Sequence, residues 1–348
     1  MFWLTLLISC TLFVFYSILT RKSWIMPLVY EFHMNYLGFR AVVEDQILKS
    51  RNKLKIESRK GFVAIVTGGS RGIGELISKL LVDCDITVII ACRNIKSGEN
   101  VAKRILHDKN GNLNDIKVYE LDLASLKSVR NFAEKVSNDY PEINYLVNNA
   151  GIMFGPYKET EDGFESQFGI NYLGHFVLTH LLLPNLKKGA LKTGYTSRIV
   201  NVSSVAHEDC DTIHFEDINL KNNYIQTLAY GQSKLAQILF TKYLNKFLKS
   251  ENIEVFAVHP GIVDTCLFDN AHFKKIIPWM TKIFKSPEQG AIPIVHTCIS
   301  EKLNGKGGSY ISNCRILKSS KLSNDVVLQE KLFNFTNKLL NIEKFGVP

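Results

Sequence analysis

Phe62-Val63-Ala64-Ile65-Val66-Thr67-Gly68-Gly69-Ser70-Arg71-Gly72-Ile73-Gly74-Glu75-Leu76-Ile77 reads as three pieces in succession. The apolar, β-branched run predicts a buried strand, the Thr-Gly-x-x-x-Gly-x-Gly segment a tight turn, and the residues from Glu75 to Leu81 a helix. Glycines at 68, 72 and 74 let the backbone turn sharply and approach an anion, and the helix N-terminus adds free N–H groups and the positive end of its dipole. A turn of this kind either cradles a dinucleotide pyrophosphate, with Gly68, Ser70, Arg71, Gly72, Ile73 and Gly74 in contact, or simply joins strand to helix.

Working outward, the alternation continues. Strands are predicted at Ile86–Ala91, Ile116–Leu121 and Ile143–Val147, and helices after Ile95 and around Leu126–Val136. Strands that alternate with helices imply an α/β fold, a Rossmann-type doubly wound parallel sheet with ligands at the C-terminal strand edge. No repeat or Pro/Ser-rich linker divides residues 61–345, so they are expected to form a single domain. Where an acid would bind a ribose hydroxyl, the second strand ends in Ala91-Cys92-Arg93-Asn94. A guanidinium cannot accept that hydrogen bond but pairs well with a 2′-phosphate, and Arg71 can close on the same group, so NADP(H) is the expected cofactor.

The second half carries Tyr230-Gly231-Gln232-Ser233-Lys234 at the head of a helical pattern. Four residues apart, Tyr230 and Lys234 share a face, and a nearby ammonium is expected to favour the phenolate and suit Tyr230 to proton transfer. Upstream, Ser197 to Val202 reads as a strand running into Ser203 and Ser204, of which only one should face the tyrosine.

Together with Asp122 in Leu121-Asp122-Leu123, Asn148-Asn149-Ala150-Gly151, Asn171 and Pro260-Gly261-Ile262-Val263-Asp264-Thr265, these motifs resemble the short-chain dehydrogenase/reductase family over about residues 61–315. Phe168 to Phe176 and His259 to Thr265 are most similar to its retinol-dehydrogenase-type members, particularly the branch associated with polyisoprenoid alcohols. The resemblance implies roles at the matching positions. Tyr230 is the acid/base, Ser204 polarises the reacting oxygen, Lys234 binds the nicotinamide ribose and tunes Tyr230, and Asn171 holds a water in a proton relay. Asp122 contacts adenine, Asn149 lies in the supporting strand end, and the Pro260 to Thr265 turn holds the nicotinamide. From the residues alone, Asn171 could equally bridge backbone inside its helix, and Asp122 could cap a helix beginning near Ala124.

Met1 to Thr20 carry no charged side chain and are followed by Arg21 and Lys22. Twenty helical residues span about 30 Å, so residues 1–22 are expected to be a transmembrane anchor, with the positive flank and the domain on the cytosolic side, at the endoplasmic reticulum. Residues 23–60 are then a juxtamembrane linker, its part from Trp24 being either interfacial or a helix packed on the domain. Lysines interleave with apolar residues from Leu267 to Phe284, which suits a substrate lid resting on lipid or one packed on the domain. Val326 to Leu340 predicts an amphipathic helix that closes the core, forms a homodimer contact or meets a membrane.

The net charge of +9 is dispersed rather than gathered into a stripe, which argues against nucleic acid as a partner. Seven cysteines without a Cys-x-x-Cys pair suggest neither zinc nor redox chemistry, and no metal is expected. The expected activity is hydride exchange between NADP(H) and the alcohol or carbonyl of an apolar, lipid-like substrate. The alternative from another class is a membrane-bound NADPH-binding sensor or scaffold without turnover.

Overall fold

The computed structural model describes residues 26–109, 115–265, 267 and 282–348. The expected anchor, Cys10, Cys266 and most of the lid segment lie outside the described residues.

The sheet has the order β3-β2-β1-β4-β5-β6-β7-β8. Its strands are β1 Val63–Thr67, β2 Thr87–Cys92, β3 Ile116–Glu120, β4 Tyr145–Asn148, β5 Ser197–Val202, β6 Ile253–His259, β7 Tyr310–Ser312 and β8 Arg315–Leu317. Only the β7–β8 pair is antiparallel. Strand order reverses direction between β1 and β4, which opens a crevice at their C-terminal ends.

The central strands are mostly apolar because both faces are covered, whereas β3 and β8, at the edges of the sheet, carry Lys117, Glu120 and the exposed Arg315. Ile65, Ile89, Leu146, Ile199 and Val255 point to one core, while Ala64, Val66, Val88, Ile90, Val147, Val200 and Phe256 point to the other. Naming helices in chain order, α1 is Met26–Ile47, α2 Gly72–Asp83, α3 Ile95–Lys109, α4 Leu126–Asp139, α5 Gly174–Thr193, α6 Gln226–Phe247, α7 Pro287–Ile299 and α8 Val326–Leu339. The first core is filled from α4, α5, α6 and α8, and the second from α2, α3 and α7. Of the uses open to α8, the structure shows closure of the core. Leu332 and Phe333 are buried, and the Phe333 ring sits 4.5 Å from Tyr243 and 5.6 Å from Phe176, centroid to centroid.

Among the described residues no helix is long and apolar enough to cross a membrane. Of the two readings left open from Trp24 onward, the described part from Met26 follows the packed helix. α1 buries Met34, Leu37, Ala41 and Val42 and leaves Phe32, Tyr36 and Phe39 exposed. It is fastened at three levels: His33 Nδ1 to Asp209 Oδ1 at 2.5 Å, Arg40 to Glu208 at 2.7 Å, and Asp45 in a buried network. The Asp45 carboxylate lies 2.9 Å from Lys285 Nζ and accepts from Ile262 N and Asn313 Nδ2, each at 2.9 Å. Lys285 in turn donates to the Pro260 carbonyl at 3.1 Å and to Asn313 Oδ1 at 2.8 Å.

A buried charge left without its partner is destabilising by about 3–5 kcal/mol. Asp45→Ala is therefore expected to lower the urea midpoint by an equivalent amount without changing the slope, because it strands the Lys285 ammonium. An unmoved midpoint would show that the buried Asp45–Lys285 pair contributes nothing to stability.

Candidate active site

The crevice between β1 and β4 is lashed from beneath. Thr67 Oγ1 accepts from Asn149 N at 2.9 Å and Ala150 N at 3.0 Å, and Asn149 Nδ2 donates to the Thr67 carbonyl at 2.9 Å. The Asn149 side chain thus serves the turn. Above it, Gly72 has φ +58°, a left-handed conformation that favours glycine, and a Cβ on Gly74 would stand 2.2 Å from the Gly68 carbonyl oxygen. Sequence alone left this turn open between connection and cradle; a side chain at Gly74 would clash with the turn's own backbone and push α2 away from it, next to the cleft that the turn borders.

That cleft is one end of a cavity of about 1220 Å³. Its rim includes Ser70, Arg71 and Arg93, both arginines exposed, and its floor Ile73 and Asp122. Asp122 Oδ1 accepts from Ala124 N at 3.0 Å, while the cap of α4 is Ser125, so Asp122 braces the turn before the helix and still faces the cavity. Opposite, Pro260 and Thr265 line the wall, and the Thr265 methyl is 3.7 Å from where a Cβ on Gly72 would be. The expected dinucleotide residues thus all border one continuous space, apart from any contact with a cofactor. An elongated cavity running from an anion-accepting helix terminus to a tyrosine–lysine pair fits a nicotinamide dinucleotide.

At the inner end, α6 places Tyr230 and Lys234 on one face, with Lys234 Nζ 5.6 Å from the Tyr230 ring centroid. The Ser204 side chain neighbours the Tyr230 phenol and favours its charged form, and its hydroxyl accepts from Ala206 N at 3.2 Å. Ser203 faces away and donates to the Lys234 carbonyl at 2.9 Å. Alternation at the strand end therefore selects Ser204 as the tyrosine's neighbour.

Asn171 lies in a π turn, Gly169–Leu173, that leads into α5. Its carboxamide accepts from Ile152 N at 2.9 Å and donates to the Ile152 carbonyl at 3.0 Å and to Ser233 Oγ at 2.9 Å. The side chain is thus spent on bridging backbone, one of the two uses open from sequence. Its main-chain carbonyl accepts from His175 Nδ1 at 3.0 Å, which makes Nδ1 the protonated nitrogen, and Nε2 lies 2.9 Å from Thr67 Oγ1. Burial lowers the His175 pKa to about 4, so this ring stays neutral.

Electrostatics depart from the sequence expectation. Burial pushes Tyr230 up to about 12, opposed in part by the Ser204 side chain, and burial brings Lys234 down to about 7. The lysine was expected to depress the phenol; removal of both groups from water outweighs their attraction and disfavours both charged forms. In this state the phenol is held as a proton donor.

Sequence reasoning missed the contribution of α1. Met34 packs with Met153, Ala206 and Tyr230, and Phe39 and Val42 also line the cavity. Phe154 stands edge-on to Tyr230 at 5.4 Å. The signal was the spacing of Met34, Leu37, Ala41 and Asp45, one helical face whose last member is an acid.

The short chain dehydrogenase family model matches residues 62–275. Retinol dehydrogenase 12 of Mus musculus is 38% identical over 285 residues, 81% of this chain and 87% of that protein. Polyprenol dehydrogenase of Danio rerio is 39% identical over 311 residues, covering 88% of this chain and 95% of that protein. A crystal structure of an uncharacterized protein from Mycobacterium Paratuberculosis superposes with a TM-score of 0.67 at 32% identity, over 82% of this chain and 96% of that one.

Between a folded pKa of about 7 and the ordinary value of 10.5, the native state binds fewer protons at Lys234 than the unfolded chain does. The stability this group contributes therefore rises with pH across that window and is least below it. Lys234→Met is expected to gain stability over the parent at about pH 6 and to lose that advantage by about pH 10, read as urea midpoints. A pH-independent difference would contradict the burial of a titrating lysine.

Proposed function

The chain belongs to the short chain dehydrogenase family, and we propose that it is an NADP(H)-dependent oxidoreductase acting on the alcohol or carbonyl of an apolar, lipid-like substrate of the polyprenol or retinoid class. The observation that carries this reading is the Ser204–Tyr230–Lys234 group on the wall of one cavity that also includes the glycine turn.

When bound, the nicotinamide supplies or accepts the hydride. For carbonyl reduction Tyr230 gives its phenolic proton to the carbonyl oxygen as the hydride reaches the carbon, and Ser204 donates a hydrogen bond to that oxygen. Lys234, in its charged form, offsets the phenolate left behind. Oxidation runs the same steps in reverse, with the phenolate taking the hydroxyl proton. Arg71 and Arg93 at the rim, with no acid at the end of β2, support a 2′-phosphate over a free ribose hydroxyl.

Support for an apolar substrate comes from the wall around Tyr230, where Met34, Phe39, Val42, Met153 and Phe154 face the cavity. The outer face of α1 presents Leu28, Phe32, Tyr36, Val43 and Ile47 to the surroundings beside that wall. With the uncharged residues 1–20 upstream, this favours a domain held on the cytosolic side of an endoplasmic reticulum membrane, taking its substrate from the bilayer.

Two measurements test the proposal. NADPH should bind more tightly than NADH, followed by cofactor fluorescence, and Arg93→Asp should weaken NADPH about 10- to 100-fold through loss of a charge-assisted pair and leave NADH little changed. Equal affinities in the parent would sink the cofactor assignment. Tyr230→Phe should lower kcat by about 100-fold or more on any retinoid or polyprenol that turns over, with cofactor affinity retained. Undiminished turnover would remove Tyr230 from the chemistry.

A further inference from the structure

The Asn171 main-chain carbonyl, which lies in the π turn, is already occupied. Gln237 Nε2 donates to it at 2.7 Å, and Gln237 Oε1 lies 3.2 Å from Lys234 Nζ. A backbone carbonyl offers no proton and an ammonium accepts none, so the direction of the amide is fixed by its neighbours. Gln237 is buried on α6, three residues beyond Lys234, and its own carbonyl accepts from Thr241 Oγ1 at 2.8 Å. Lys234 Nζ has one further partner, the Val202 carbonyl at 2.9 Å.

We propose that Gln237 is a positioning residue for Lys234. Its side chain fills the place between lysine and Asn171 that a relay water was expected to take, and it holds the ammonium beneath Tyr230. A neutral amide passes hydrogen bonds but not protons, so the Asn171 side of the lysine is a fixed strut. The amide oxygen also counts for charge: it is one of two acceptors that favour the ammonium over the amine in a site where burial does the opposite.

This inference rests on the oxidoreductase reading for its kinetic consequence but not for its electrostatic one, and the two can be tested apart. In protein carrying 13C-labelled lysine, the Lys234 Cε resonance, assigned by its loss in Lys234→Arg, is titrated without cofactor or substrate. Gln237→Leu keeps the volume and deletes the acceptor, so its midpoint should fall by about one pH unit. Gln237→Asn, short enough to admit a bridging water, should lie between Leu and parent. In turnover assays Gln237→Leu should shift the acid limb of kcat/KM for alcohol oxidation to higher pH, because a less charged lysine leaves the phenol harder to ionise, with KM little changed. An unmoved lysine midpoint in the Leu variant overturns the proposal whatever the kinetics, and should that variant not fold, a parental midpoint in Gln237→Asn with a changed melting temperature does so too. A shifted midpoint in a protein that turns over no substrate leaves the strut standing and removes the oxidoreductase reading instead.

Discussion

The carboxamide of Asn171 is hydrogen-bonded to both backbone groups of Ile152 and to the hydroxyl of Ser233. Three pieces of chain meet there: the exit of β4, the π turn ahead of α5, and the first turns of α6 that carry Tyr230 and Lys234. None can shift without breaking a buried hydrogen bond, and a buried group left unpaired costs about 1–3 kcal/mol. The Asn171 main-chain carbonyl, in the π turn, serves the same end, since it accepts from His175 and Gln237. Through His175 and Thr67 the chain of contacts continues to the glycine turn, so the two ends of the cavity share one buried frame.

Around that frame the open side is finished by α1. A doubly wound sheet leaves the C-terminal strand edge exposed by construction. Here a helix from before the first strand lies across part of it, adding Met34, Phe39 and Val42 to the wall. Asp45 sets its position, and the acid reaches the amide of Ile262 beside the Pro260–Gly261 turn. The same carboxylate explains why that turn needs glycine: at φ +96°, a Cβ on Gly261 would stand 2.6 Å from Asp45 Oδ2 and 2.5 Å from Lys285 Nζ.

Much of this was legible in the sequence, for local reasons. β1, β2 and β4 are largely apolar runs bounded by turn residues, and the observed limits of β1 to β5 fall within a few residues of those expected from the sequence. Tyr230 and Lys234 share a face because helical periodicity places them so. What escaped depends on contacts distant in sequence or on burial. The seat of α1 is fixed by partners 217 and 268 residues away. The upward displacement of Tyr230 follows from desolvation, which no motif records. Gln237 reads as one more polar residue on α6 until the fold sets it against the Asn171 carbonyl.

The Asp45–Asn313 contact also sets a timetable. The chain is synthesised from its N-terminus, so α1 is complete long before Lys285 and Asn313 exist. At about 5–20 residues per second, the 268 residues between Asp45 and Asn313 take on the order of 10–60 s to follow. Until then the Asp45 carboxylate lacks its partners Lys285 and Asn313. During biogenesis α1 is thus seated in stages: Met153, Ala206 and Tyr230 exist to receive Met34 well before the strand pair near the C-terminus brings the last anchor, the partners of Asp45.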